Sequence, residues 1–274
     1  MTPLLTVLNW LLPLAYLALL IHYGVTFFLR TSPRHRNLWL PAAIGVHVLF
    51  LALLTMRLGH PPLDNNYHIL TLLALATAVA YCVVEFAVGD RRTGVFVLLP
   101  VFMFQYTSSV FLSGTFGAAA ASAPGEGFNW VRLHSVPAVM AYTGFTLAAV
   151  YGMLHLNAQR NLKEHRIGAI FERLPSLELL GRMSWYALVF GFVFITVSVV
   201  SGMLLFGHSG AAGTGTLEPK VLVKILVGGA AWLIYGAAVL GKLAGKWPAR
   251  RLSRIAAYGF LAIMVLLVGS ILLS

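Results

Sequence analysis

Residues 184–206 read SWYALVFGFVFITVSVVSGMLLF, a stretch without a charged side chain. A run of about 20 apolar residues crosses a hydrocarbon core of roughly 30 Å when it forms a helix. In lipid every backbone N–H and C=O group must bond within the chain, so such a run predicts an α-helix. Similar runs predict spans at 4–29, 38–57, 68–88, 94–113, 133–156, 184–206, 220–243 and 253–273. The sequence therefore predicts an all-α integral membrane protein, a bundle of about eight transmembrane helices forming a single membrane domain over residues 1–274.

The composition excludes a separate soluble domain. Hydrophobic residues make up 59% of the chain and charged residues 10%, whereas soluble domains carry about 25% charged residues. Cys82 is the single cysteine, which excludes an internal disulfide and a thiolate-rich metal site. The net charge of +11 is concentrated in short loops beside the apolar runs. That distribution is typical of membrane topology and not of nucleic-acid binding.

The loop charges predict the orientation in the membrane. Of the 19 lysines and arginines, fifteen follow spans 1, 3, 5 and 7, and only Arg57, Arg132, Lys220 and Lys224 lie on the other side. Cytoplasmic loops carry the excess of basic residues. Both termini are therefore predicted to be extracytoplasmic, in a bacterial cytoplasmic (inner) membrane.

Histidines are the residues most able to carry chemistry in this chain. His47 lies near the middle of span 2, while His134 opens span 5 and His68 opens span 3 at the outer face. His22 and His155 lie nearer the cytoplasmic ends of spans 1 and 5. Helical bundles bind haem b through the imidazoles of two histidines on facing helices. His47 and His134 are therefore candidate iron ligands if spans 2 and 5 adjoin. The alternative is that His47 is a buried imidazole that only bridges two helices.

Other kinds of site have less support. No two histidines lie three or four residues apart, so a zinc site on one helix is excluded. Glu85 is the single acidic residue within a span, which disfavours a proton or cation pathway. No Ser-His-Asp, P-loop or HExxH pattern points to an enzyme. Lys220 and Lys224 lie one turn apart at the start of span 7 and are candidates to pair with haem propionates or with lipid phosphates.

The second half of the chain resembles the cytochrome c assembly protein family, and within it the HemX-type and YpjD-type members related to CcsA. The resemblance covers about residues 130–273 and, in layout, the first half. It rests on Leu133-His134, Ala141-Tyr142, Ala148-Ala149-Val150-Tyr151-Gly152, Leu174-Pro175-Ser176-Leu177-Glu178, Thr196, Ser201-Gly202, Glu218-Pro219-Lys220, Ala231-Trp232-Leu233-Ile234-Tyr235 and Lys246-Trp247-Pro248-Ala249-Arg250-Arg251.

The resemblance implies a haem-handling membrane protein of eight spans. His134 matches the family's outer-facing histidine, and His47 matches a histidine in the second span of the shorter members. The Trp-rich motif that presents haem to apocytochrome c is absent, and a second outer histidine expected late in span 7 falls near Leu240. We therefore expect a haem-binding relative of the cytochrome c biogenesis factors, with haem b as its cofactor and with membrane lipid and other membrane subunits or cytochrome assembly proteins as partners. A b-type electron-transfer subunit and a structural accessory subunit of a larger complex are the alternatives.

Overall fold

The computed structural model describes residues 2–29, 38–63, 65–114, 116, 130–165, 171–208 and 219–272, and in these ranges every regular element is helical, as the sequence predicts. The helices are α1 (Thr2–Leu29), α2 (Trp39–Leu58), α3 (Asn66–Val88), α4 (Gly94–Leu112), α5 (Trp130–Lys163), α6 (Leu177–His208), α7 (Pro219–Leu243) and α8 (Ala249–Leu272), with a short 3₁₀ turn at Phe171–Arg173. They belong to two compact units. Unit 1 is Met1–Phe128 and contains α1 to α4, and unit 2 is Asn129–Ser274 and contains α5 to α8.

Length and composition make this a multi-pass membrane protein. Helices α1 to α7 each contain, within the described residues, a stretch long and apolar enough to cross a membrane. Helix α8 begins with Arg250, Arg251 and Arg254 and is not among these seven. The eighth span, the outward position of the termini and the single membrane domain therefore stay predictions.

Two helices extend well beyond the apolar runs that predict them. Helix α5 continues to Lys163 and α6 begins at Leu177, where the sequence predicts spans ending at 156 and beginning at 184. At the end of α5, Arg160 and Glu164 form an ion pair one turn apart, at 2.8 Å, which supports a helix in water. At the start of α6, the Ser176 hydroxyl accepts a hydrogen bond of 3.3 Å from the backbone N–H of Leu179, as an N-cap does. Apolar length therefore marks the membrane crossing and not the ends of these helices.

In unit 1, α1 packs against α2 and α4, and α3 packs against the same two helices. The first half of α1 contributes to a cluster of buried side chains formed by Leu5, Leu8, Leu12, Phe50, Leu51, Leu54, Leu112 and Phe116. Near the end of α1, the Tyr23 hydroxyl donates to Glu85 Oε2 at 2.6 Å, and Arg91 Nε lies 2.9 Å from Glu85 Oε1. The one carboxylate within a predicted span is thus held by two partners in unit 1.

In unit 2, α5 is the central helix and packs against α6 and α8. In the most apolar stretch of α5, 67% of the residues are buried, whereas the corresponding shares are 28% for α6 and 33% for α7. Helices α5 and α6 cross closely at two glycines, because a Cβ on Gly144 would lie only 2.6 Å from the backbone nitrogen of Gly191. Next to this crossing, the rings of Phe145 and Tyr235 stack with centroids 3.9 Å apart. This tight crossing fixes α5 against α6, the two helices that build the candidate site.

Candidate functional site

The candidate site in unit 2 is centred on His134, in the first turns of α5. Its Nδ1 atom lies 2.8 Å from the backbone carbonyl oxygen of Ser198 on α6. A carbonyl oxygen can only accept a hydrogen bond, so Nδ1 carries the ring proton. In a neutral imidazole the other nitrogen, Nε2, then holds the lone pair. The contact with α6 therefore selects the tautomer in which Nε2 is able to bind a metal.

A glycine makes this contact possible. Gly202 lies one turn after Ser198 on α6, directly beside the imidazole of His134. A Cβ at Gly202 would lie 2.9 Å from His134 Nδ1 and 3.1 Å from its Cε1. Both distances are too short for an undisturbed contact, so a side chain at this position would push the ring away from the Ser198 carbonyl.

The hydroxyl of Ser198 adds a second, longer contact. Its Oγ lies 3.2 Å from His134 Nδ1 and 3.3 Å from the backbone carbonyl oxygen of His134. The backbone carbonyl at 2.8 Å is the shorter and better partner of Nδ1. Ser198 is not among the residues predicted from the sequence, and Gly202 is named there only in the Ser201-Gly202 pair that resembles a family motif. A serine followed four residues later by glycine, on one face of α6, is the signal that could have identified both.

The other nitrogen of His134 is available. The residue is half-buried, and its neighbours Leu133 and Val136 are exposed. Nε2 makes no hydrogen bond to any residue that the structure describes. A neutral imidazole whose Nδ1–H is held by a backbone carbonyl is the usual form of a metal-binding histidine, because the held proton orients the ring and raises the basicity of Nε2. The geometry of His134 therefore has the features of a metal-binding imidazole.

His47 has a different environment, in the interior of unit 1. It is fully buried. Its Nδ1 lies 2.9 Å from the hydroxyl of Tyr16 on α1, and its Nε2 lies 2.9 Å from the hydroxyl of Thr71 on α3. His47 thus connects three helices of unit 1 through hydrogen bonds at both ring nitrogens.

These bonds continue as a chain of buried polar groups into α4. Thr71 donates to Gln105 Oε1 at 2.8 Å, and Gln105 Nε2 donates to Ser109 Oγ at 3.0 Å. Ser109 Oγ donates to the backbone carbonyl of Asn9 at 2.7 Å, and Asn9 Nδ2 donates to the backbone carbonyl of Ser109 at 2.8 Å. All five side chains of the chain from His47 to Asn9 have no exposed surface. The chain therefore joins all four helices of unit 1.

The direction of the chain settles the tautomer of His47. The single hydroxyl proton of Thr71 is donated to Gln105, so the Thr71 oxygen must accept a proton from His47 Nε2. Nδ1 of the neutral ring then accepts from Tyr16. Both nitrogens are thus committed within unit 1, and iron could bind His47 only by displacing Tyr16 or Thr71.

The hydrogen bonds of this polar chain involve none of the remaining predicted site residues in the described part of the structure. His68 is half-buried in the first turn of α3, and Lys224 is exposed on α7. Lys220 lies in the first turn of α7, and its side chain is outside the described residues. His47 and His134 belong to different units, so their pairing around one haem stays a prediction. The described residues contain no group of three or more His, Cys, Asp and Glu side chains suited to a metal ion.

His155, near the other end of α5, is a buried histidine of unit 2 with a structural environment. Its Nδ1 lies 2.9 Å from the hydroxyl of Ser253 on α8. The helices approach closely here, because a Cβ on Gly152 would lie 2.9 Å from the Ser253 carbonyl oxygen. His155 therefore contributes to the packing of α5 against α8 and provides a control for His134 on the same helix.

The Cytochrome C assembly protein family matches residues 63–274 of this chain. Among curated proteins, the chain is 24% identical to the cytochrome c biogenesis protein CcsA of Synechococcus sp. (strain CC9902), covering 95% of this chain and 92% of the relative. It is 22% identical to CcsA of Porphyra purpurea (92% and 89% covered) and 22% identical to CcsA of Guillardia theta (77% and 73% covered). No solved structure matches the chain.

Proposed function

The chain belongs to the cytochrome c assembly protein family, and we propose that it serves this assembly by holding haem, as a cargo, at His134. Cytochromes c carry haem attached at a C-x-x-C-H motif, so their assembly requires a protein that handles haem before attachment. The relatives are named cytochrome c biogenesis proteins, and this chain is similar to them over most of their length. That similarity supports an assembly role. An electron-transfer or purely structural subunit is not favoured by these comparisons.

The observation that carries the proposal is the short contact between His134 Nδ1 and the backbone carbonyl oxygen of Ser198. The Nδ1–H of His134 is held by this carbonyl at 2.8 Å, which leaves the Nε2 lone pair for iron. When bound, haem would supply an iron atom that His134 could hold through Nε2. A single protein imidazole would leave the iron able to bind a further ligand from an acceptor protein or another histidine. This arrangement suits a carrier that must release its cargo.

His47 is the less favourable ligand of the predicted pair. Binding iron through either nitrogen would break a buried hydrogen bond and leave Tyr16 or Thr71 without its partner. Each such unpaired buried group costs about 1–3 kcal/mol. We therefore assign His47 to the stability of unit 1. His68, Lys220 and Lys224 remain proposed haem contacts, the two lysines as partners of the propionate carboxylates.

We further propose that the protein lies in the bacterial cytoplasmic membrane and works with other cytochrome assembly proteins. The apolar helices support the membrane, and the family supports the kind of partner. The absence of a Trp-rich presentation motif from the sequence favours a member that holds or passes on haem over one that attaches it.

Haem titration into the full-length purified protein tests the site. Spectra are recorded oxidised and after dithionite reduction for the unsubstituted chain, His134→Ala, His47→Ala and His155→Ala. Removing a residue that only hydrogen-bonds to a metal ligand lowers metal affinity roughly 10- to 100-fold. We expect a larger loss of haem affinity in His134→Ala, because this substitution removes the proposed ligand itself. His155→Ala should keep its haem spectrum, because its imidazole contacts α8 and not the site.

The comparison of the two candidate ligands decides the proposal. If folded His47→Ala loses its haem while His134→Ala retains it, the ligand lies in unit 1 and the proposed site is wrong. If neither variant changes the spectrum, other residues bind the haem.

A further inference from the structure

A second region of unit 2 has the composition of an anion-binding site. The end of α5 and the beginning of α8 border a half-open cavity of about 380 Å³. It is lined by Leu156, Arg160, Lys163, Glu164, Arg250, Arg254 and Tyr258. This cavity belongs neither to the His134 site nor to the His155 contact, and an inference from it does not depend on the proposed function.

The charges in the cavity are strongly unbalanced. Four basic side chains face a single carboxylate, that of Glu164. Glu164 is already paired with Arg160 at 2.8 Å. Lys163, Arg250 and Arg254 form no ion pair with a carboxylate in the described part of the chain. Three exposed positive charges therefore converge on one cavity without a counter-charge from the described residues.

The helix dipole stabilises the basic residues at one helix end and destabilises those at the other. Arg160 and Lys163 lie in the last turns of α5, where the helix dipole favours cations. Arg250 and Arg254 lie one turn apart at the start of α8, the positive end of the dipole, and the first turn of α8 contains no acidic residue. Cations at this end are unfavourable for the helix alone. A bound anion would compensate both the guanidinium groups and the helix end.

The uncharged walls of the cavity indicate the chemical nature of the rest of the ligand that carries the anionic group. Leu156 and Tyr258 line it beside the basic groups, and 62% of the Tyr258 surface is exposed. Arginine binds phosphate through paired N–H donors, and basic pockets between transmembrane helices bind anionic lipid headgroups. A phosphate group bound to the arginines, attached to an apolar chain that packs along Leu156 and Tyr258, would match both the charged and the uncharged walls of the cavity.

We propose that this cavity binds a phosphate ester, with Arg250 and Arg254 as its principal contacts. The same chemistry is available from an anionic phospholipid headgroup and from a soluble phosphate compound. The charge and apolar walls together favour the lipid, and the test separates the two sources.

The test uses the full-length protein reconstituted in phosphatidylcholine vesicles with and without phosphatidylglycerol. After extraction, the phosphatidylglycerol retained by each chain is measured by native mass spectrometry. We expect selective retention, with affinity falling about fivefold for each guanidinium removed in Arg250→Gln and Arg254→Gln. Arg251→Gln is the matched control, because it removes the same charge from the same helix while its guanidinium stacks on Trp247, 3.9 Å from the ring centroid.

Each outcome bears on the proposal. Loss of retention in Arg250→Gln and Arg254→Gln, with retention kept in Arg251→Gln, supports a lipid headgroup site. Binding of inorganic phosphate that depends on the same arginines, with no preference between the vesicles, supports the cavity but assigns a soluble phosphate. Equal losses in all three variants, or no dependence on either probe, overturns the proposal and leaves only a general surface charge.

Discussion

His47 in unit 1 and His134 in unit 2 are chemically identical side chains that the fold uses in opposite ways. His47 is fully buried, and both of its nitrogens are bonded to side chains of other helices. His134 is half-buried, and among the described residues its bonded nitrogen is Nδ1, held chiefly by a backbone carbonyl. A histidine with two fixed partners stabilises a helix bundle. We propose that the one fixed partner of His134, which selects the tautomer, prepares its ring to bind a ligand.

The two units also use polar groups differently. In unit 1 a continuous polar chain from Tyr16 to Asn9 crosses four helices, so each member depends on the next. In unit 2 the helices α5 and α6 meet through glycines, and the polar contact of His134 is local. Disturbing the first arrangement should therefore reduce stability, whereas disturbing the second should reduce binding.

The largest expected effect is the loss of stability in His47→Ala. The substitution leaves the buried hydroxyl of Tyr16 without its acceptor and the oxygen of Thr71 without its donor, while Thr71 keeps its own bond to Gln105. An unpaired buried group costs about 1–3 kcal/mol, and the substitution also opens a cavity in the interior. We expect a destabilisation of roughly 3 kcal/mol or more, measured as denaturant or thermal unfolding in detergent.

His22→Ala is the control for this prediction, since His22 is exposed on α1 and its loss should leave unfolding unchanged. If His47→Ala unfolds like the unsubstituted chain but no longer takes up haem, His47 is a ligand and the contrast between the two histidines fails.

Much of the fold follows from the sequence because lipid imposes one rule on every span. The observed bounds of α1 to α4 lie within about two residues of the predicted spans, since the apolar run and the helix end together there. The ends of α5 and α6 could not be predicted in this way, because polar side chains extend both helices past the apolar run. The division into two units depends on which helices touch, and hydropathy carries no information on that.

The candidate site was predictable only in part. The sequence singles out His47 and His134, because an imidazole in an apolar run is unusual. It cannot distinguish them, because the distinction depends on partners from other helices. Thr71 and Gln105 are ordinary polar residues within spans 3 and 4, and only the fold brings them to His47. The carbonyl that orients His134 belongs to the backbone of Ser198, so the serine and glycine spacing on α6 could point to the position but not to the hydrogen bond itself.

An intermediate effect is expected from Gly202→Ala. The added Cβ would lie 2.9 Å from His134 Nδ1, so the ring must move away from the Ser198 carbonyl and lose its fixed tautomer. We expect haem affinity to fall about 10-fold or more, as when an outer-shell partner of a metal ligand is removed. The measurement is haem titration, with the nitrogen-15 shifts of His134 in the haem-free protein as a second readout.

Gly228→Ala is the matched control for this substitution. Gly228 is a helical glycine of α7, and an added Cβ there would meet nothing within 4 Å. Its haem affinity should be unchanged and its stability equal or higher, because alanine is the better helix former. Unchanged affinity in Gly202→Ala would show that the position of the His134 ring does not control binding.

The smallest expected effect, and the sharpest test of the His134 geometry, comes from Ser198→Ala. This change removes the hydroxyl at 3.2 Å but keeps the backbone carbonyl at 2.8 Å. If the carbonyl selects the tautomer, Nδ1 stays protonated and haem affinity changes by less than about twofold, since a long neutral hydrogen bond contributes little. If the hydroxyl instead donates to Nδ1, the proton resides on Nε2 in the unsubstituted chain, and Ser198→Ala moves it to Nδ1. The nitrogen-15 shifts of His134 separate these cases, and a proton found on Nε2 before substitution would remove the main argument for His134 as the prepared ligand.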